Sequence, residues 1–158
     1  MSNPKQVRIL LVLCAVSLVM MTAALLFGGR SIAFEPPPFD PAARAGIPDV
    51  PAGMGYRELD AGPFRVALCG QIAAENEAAA VYLTNPPDNG VWLKLRMLDE
   101  SGNLLGETGL IRPGEYVEQM TLQTIPEPGD ALVLKVMAYE PGTYHSQGSV
   151  TVRTHMAE

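Results

Sequence analysis

Two cysteines and two histidines in 158 residues are few, and their positions exclude much. Cys14 lies in a long apolar run and Cys69 in a segment that reads as a strand, so no disulfide closes within the chain beyond that run. Cys69 is expected to be a half-buried structural thiol, with an intermolecular disulfide as the alternative. His145 and His155 lack metal-ligand spacing such as H-x-x-x-H, and no G-x-S-x-G elbow occurs. The stretch "AYEPGTYHSQGSV", residues 138–150, does gather Glu140, Tyr144, His145 and Ser146. His145 and Ser146 are consecutive, however, and neighbouring side chains on extended chain point to opposite faces, which does not suit a nucleophile and its base. Pro141-Gly142 instead predicts a turn. The expectation is a non-enzymatic protein with no cofactor and no metal site.

Positive charge is also sparse where it would matter for nucleic acid. From residue 31 onward there are 8 basic against 17 acidic residues, a formal charge of −9. Such a surface repels phosphate backbones, which argues against nucleic-acid binding.

What the chain does have is "ILLVLCAVSLVMMTAALLFGG", residues 9–29, with no charge in 21 positions. About 20 apolar residues in a helix cross a hydrocarbon core of roughly 30 Å. Lys5 and Arg8 precede the run and Glu35 and Asp40 follow it, so the positive-inside rule puts the N-terminus in the cytoplasm. The predicted location is the cell membrane, single-pass, with the C-terminal part extracytoplasmic. The alternative is a signal peptide cleaved after Ala33, which would secrete the remainder; "SIA" at 31–33 fits a peptidase, but the apolar run exceeds the usual h-region of about 7–15 residues.

Prolines at 36, 37, 38, 41, 48 and 51 follow. Proline fixes φ and removes a donor, so residues 31–55 are expected to form a semi-rigid spacer. Beyond it, short runs rich in β-branched and aromatic residues alternate with turn signals, three of them Pro-Gly at 113–114, 128–129 and 141–142. Strands are predicted at 57–60, 64–69, 79–84, 91–98, 103–108, 116–122, 131–139 and 148–155. In "VWLKLRML", Val91, Leu93, Leu95 and Met97 alternate with Trp92, Lys94 and Arg96, which gives one dry and one wet face; Trp92 is read either at that wet surface or packed beneath a loop or on the other sheet. The stretch "AAENEAAAV" at 73–81 reads equally as a helical turn. The fold class is all-β: an antiparallel sandwich of about seven strands, of the immunoglobulin or fibronectin type III kind, preceded by one transmembrane helix and a Pro-rich linker. The division is 1–8 cytoplasmic tail, 9–30 anchor, 31–55 linker and 56–158 sandwich.

The stretches "VYLTNPPDNGVWLKLRMLDESGNLLGETGLIRPGEYVEQMTL" and "LVLKVMAYEPGTYHSQGSV" resemble small single-pass envelope proteins of Gram-positive bacteria with an Ig-like outer domain. The resemblance is one of pattern and covers about the last 80 residues; "LIRPGEYV" is similar to the middle of many bacterial Ig-like modules. It implies an interaction or assembly role, with another envelope protein as partner. The alternative is a sensory domain that binds a small ligand or wall polymer. The candidate binding residues are Trp92, Tyr139, Tyr144 and His145. A concave pocket lined by Trp92, Tyr82, Tyr139 and Tyr144 would favour ligand binding, and a flat apolar patch would favour assembly.

Overall fold

The computed structural model describes residues 4–27 and 34–157. It divides into two units, Met1–Glu35 and Pro36–Glu158. The first contains α1, Pro4–Phe27, which starts five residues before the predicted span, with proline in the first turn where its missing N–H costs nothing. Val7, Leu10, Val16, Leu18 and Met21 are all exposed, so the helix is apolar around its circumference, as a lipid-facing helix must be. Two hydroxyls bond back onto the helix: Ser17 Oγ donates to the carbonyl of Leu13 at 2.9 Å and Thr22 Oγ1 to that of Leu18 at 3.0 Å. The helix is long and apolar enough to cross a membrane. The 31–33 cleavage signal lies outside the described residues.

The second unit is a β-sandwich. Its strands are β1 (Arg44–Ala45), β2 (Arg57–Asp60), β3 (Arg65–Leu68), β4 (Ala73–Glu75), β5 (Ala78–Thr84), β6 (Trp92–Asp99), β7 (Leu104–Glu107), β8 (Glu115–Thr121), β9 (Ala131–Tyr139) and β10 (Ser146–His155). One sheet runs β1-β8-β5-β3-β2, with β4 also on β5, and the other runs β10-β9-β6-β7. Pairing between strands is antiparallel throughout. The alternation read in β6 sends Leu93, Leu95 and Met97 into the core, where they meet Val66, Val81, Leu83 and Val117 of the facing sheet. In β9, Leu132, Leu134, Val136 and Ala138 are buried and the residues between them half-buried.

Cys69 is fully buried among these side chains, and burial pushes its thiol up to about 11. The folded sandwich therefore offers no access for an intermolecular disulfide through this residue. Asn85 is buried as well. Its Nδ2 donates to the carbonyls of Val91 at 2.9 Å and Ile111 at 3.1 Å, while its Oδ1 accepts from Asn89 Nδ2 at 2.6 Å. The "NPPDNG" turn is thus fastened to the strand ends it joins.

Two readings of the sequence change. Residues 36–55 belong to the sandwich and are not a free spacer. The carbonyl of Pro38 accepts from Leu110 N at 2.9 Å, Asp40 N donates to the Leu110 carbonyl at 2.9 Å, and β1 then pairs with β8. The segment therefore lies along an edge of each sheet in turn. Gly109 permits this, because a β-carbon there would sit 2.5 Å from the Asp40 Cα. Pro48 is buried, and Ala43, Val50 and Met54 pack against the core. The second change concerns "AAENEAAAV", which is a hairpin of β4 and β5 with Asn76 at φ 57° in its turn.

Candidate interaction surface

Trp92 opens β6 on the outer face of the four-stranded sheet, directly opposite Tyr139 of β9. The alternation puts it on the face of Lys94 and Arg96, and the other expectation was packing beneath a loop; it is half-buried. The cover comes from two sides. Phe39, on the docked proline-rich segment, makes a T-shaped contact at 4.8 Å and 78°; Tyr144, on the β9–β10 connection, lies at 5.3 Å and 59°. Arg112 places its guanidinium carbon 3.7 Å from the centre of the Phe39 ring, a cation–π contact, and its Nη1 reaches Glu115 Oε1 at 3.4 Å. All four aromatic side chains are half-buried and Arg112 is exposed, so the group forms a surface cluster with its inner side packed.

The loop "EPGTYH" holds Tyr144 in place. Tyr144 N donates to the Glu140 carbonyl at 2.9 Å and Glu140 N to the His145 carbonyl at 2.8 Å. Gly142 takes φ 82° and Tyr144 itself φ 60°, an unusual left-handed conformation for a bulky residue. Thr143 Oγ1 donates to Glu140 Oε2 at 2.5 Å. His145 Nδ1 lies 3.8 Å from the same carboxylate oxygen, with its side chain 80% exposed. Ser146 Oγ accepts from Gly148 N at 3.4 Å. These contacts build a connection between strands.

Of the predicted site residues, Trp92, Tyr139 and Tyr144 come together, with His145 beside them on the loop rim. Tyr82 lies on β5 in the other sheet and does not join them. Phe39 and Arg112 complete the cluster and were not anticipated. The available signal was a phenylalanine among the prolines of "PPPFDP", since an aromatic ring has little reason to stand in a solvated spacer.

Next along the face, Lys94 is buried although it was expected to be wet. Its Nζ lies 2.7 Å from Glu107 Oε1, and Arg96 Nε lies 2.8 Å from Glu107 Oε2. Burial by itself would raise the Glu107 carboxyl, but the hydrogen bonds and charges of Lys94 and Arg96 outweigh it and hold the carboxyl below its usual range.

A cleft of about 400 Å³ lies elsewhere, lined by residues including Asp99, Leu105, Thr124, Glu127, Asp130 and Leu132; none of the aromatic residues above lines it.

No protein-family model matches the chain, and no curated protein does. Among solved structures it is similar to CopC from Methylosinus trichosporium OB3b, at 17% identity, with 65% of this chain and 93% of that chain covered and a TM-score of 0.37. A likeness at that level leaves function to be argued from this chain's own residues.

Proposed function

We propose that the protein is a membrane-anchored, extracytoplasmic, Ig-like module that acts without catalysis, as a protein-interaction or assembly component of the cell envelope. The observation that carries this reading is the cluster of Phe39, Trp92, Tyr139 and Tyr144 with Arg112 on one outer sheet face. Tryptophan, tyrosine and arginine dominate the energetics of protein interfaces, because they bury large areas while losing few rotamers. Here they are held by a turn, a docked strand and each other, so little ordering cost remains when a partner binds.

The Ig-like part of the reading is supported by strand order. The sheets β8-β5-β3 and β10-β9-β6-β7 match the order E-B-A against G-F-C, with β7 as an added C′ strand, and β1 takes the place of strand D beside β8. Orientation with the N-terminus in the cytoplasm is supported by Lys5 and Arg8 before the apolar run. The ligand-binding alternative asked for a concave pocket lined by Trp92, Tyr82, Tyr139 and Tyr144; the cleft of about 400 Å³ is lined by other residues.

The full chain, extracted from its own membrane in mild detergent, should retain an envelope protein that Trp92→Ala and Tyr144→Ala release and Gln119→Ala, on the opposite sheet, retains. Equal retention by all three variants would contradict the proposal.

A further inference from the structure

We infer that the β10 edge of the sandwich receives an extended, acidic segment of a partner protein, which adds to the sheet as a fifth strand. This rests on the reading of the domain as a protein-interaction module and specifies the chemistry of its partner.

The first observation is the state of the sheet edges. Just past β7, Pro38 and Asp40 bond to Leu110, and β1 pairs with Glu115 and Tyr116 at the start of β8. Of the other end strands, β1 has two residues and β4, beside β5, has three, which leaves β2 and β10 as the longer ones. β2 has four residues, three of them charged. β10 has ten, and from Ser149 to His155 its register with β9 is regular, without proline or bulge. The last part of that edge is taken, since Thr154 Oγ1 bonds to the Gly70 carbonyl and Met156 bridges to Ile72. Residues 149–153 have no strand on their outer side among the described residues. An uncovered edge with regular pairing is a template for another strand, and the one charged side chain within 149–153, Arg153, selects for an acidic one.

The second observation is charge. The domain is acidic overall, yet the outer face beside this edge is basic. Arg96 stands directly opposite Lys135, and Lys135 opposite Thr151, with Arg153 one step along β10 on the same face. Like charges in direct cross-strand register repel. Glu107 neutralises part of the row by holding Lys94 and Arg96. Lys135 and Arg153 have no acidic partner among the described residues. A strand added along β10 would place alternate side chains on this face, beside Arg153 and within reach of Lys135. Carboxylates at those positions would supply the missing partners, and the backbone edge would supply the hydrogen bonds.

The test uses the full chain in nanodiscs of neutral lipid and fluorescent ten-residue peptides alternating threonine with glutamate, read by anisotropy. The glutamate peptide should bind. Replacing its glutamates by lysine, or N-methylating alternate backbone nitrogens, should each abolish binding. Lys135→Glu with Arg153→Glu should weaken it by about tenfold or more, and the neutral pair Lys135→Gln with Arg153→Gln by less. Equal binding of the lysine or N-methylated peptide, indifference to both double variants, or no binding of any peptide would overturn the inference. So would preferential binding to phosphatidylglycerol vesicles, which would assign the basic row to a polyanion. Failure here with Trp92-dependent partner retention intact would remove strand addition and leave the interaction-module reading standing.

Discussion

The rings of Phe39 and Trp92 meet edge to face with centroids 4.8 Å apart, and that contact joins the proline-rich segment to the outer face of the sandwich. Trp92 is the chain's single tryptophan, so its emission reports on this one place. Phe39→Ala should shift that emission to longer wavelength and raise its quenching by acrylamide. The loss of a half-buried edge-to-face contact should lower stability by about 1–2 kcal/mol. Unchanged emission would mean that Phe39 does not cover Trp92 in solution.

Gly109 makes the docking of that segment possible. In Gly109→Ala the new β-carbon would meet the Asp40 Cα at 2.5 Å and the Phe39 carbonyl carbon at 2.8 Å, both backbone atoms that cannot rotate away. The segment should lift from Leu110, with a stability loss of about 1–3 kcal/mol. Trypsin should then cut after the exposed Arg44 much faster than in the parent. Equal cleavage rates would show that the segment is not held there.

The limits of sequence reading follow from this pair. β2 and β9 fall at the predicted residues, because alternation and Pro-Gly turns are local signals that the tertiary structure reinforces. The docked segment was read as a spacer because proline lacks a donor. Docking at a sheet edge, however, uses the Pro38 carbonyl and the Asp40 N–H, and proline restricts neither. β4 was hidden because alanine carries little β signal; Asn76 in its turn was the better clue. Three site residues were legible as exposed aromatics, whereas Phe39 and Arg112 reach the cluster only through long-range packing.

Asn85 is a structural fastening, and its removal should be expensive. Asn85→Ala leaves the Val91 and Ile111 carbonyls without their donor and frees Asn89 from its acceptor. A loss of about 2–3 kcal/mol by denaturant unfolding is expected, since buried carbonyls that lose a partner also lose access to water. A change below about 0.5 kcal/mol, usual for a surface position, would contradict the assignment.

Cys69 links stability to alkaline pH. Its folded thiol titrates at about 11, above the ordinary 9.0, because burial disfavours the thiolate. Between these values the unfolded chain loses the proton and the folded chain keeps it, so stability is complete below the lower value and falls as pH rises toward the upper. The decline attributable to this group is about 2–3 kcal/mol, and Cys69→Ala should flatten that part of the profile. A thiol reagent should label Cys69 only on unfolding; rapid labelling of the native sandwich would refute its burial.

The central claim is that the outer face around Trp92 contacts a partner in the envelope. A photo-cross-linking amino acid placed at Tyr144 in the full chain, in living cells, tests it most directly, with the same group at Gln119 on the opposite sheet as control. The account predicts a discrete cross-linked product from position 144 that disappears with Trp92→Ala and is absent from position 119. Equal products from both positions, or a product from 144 that persists without Trp92, would contradict it.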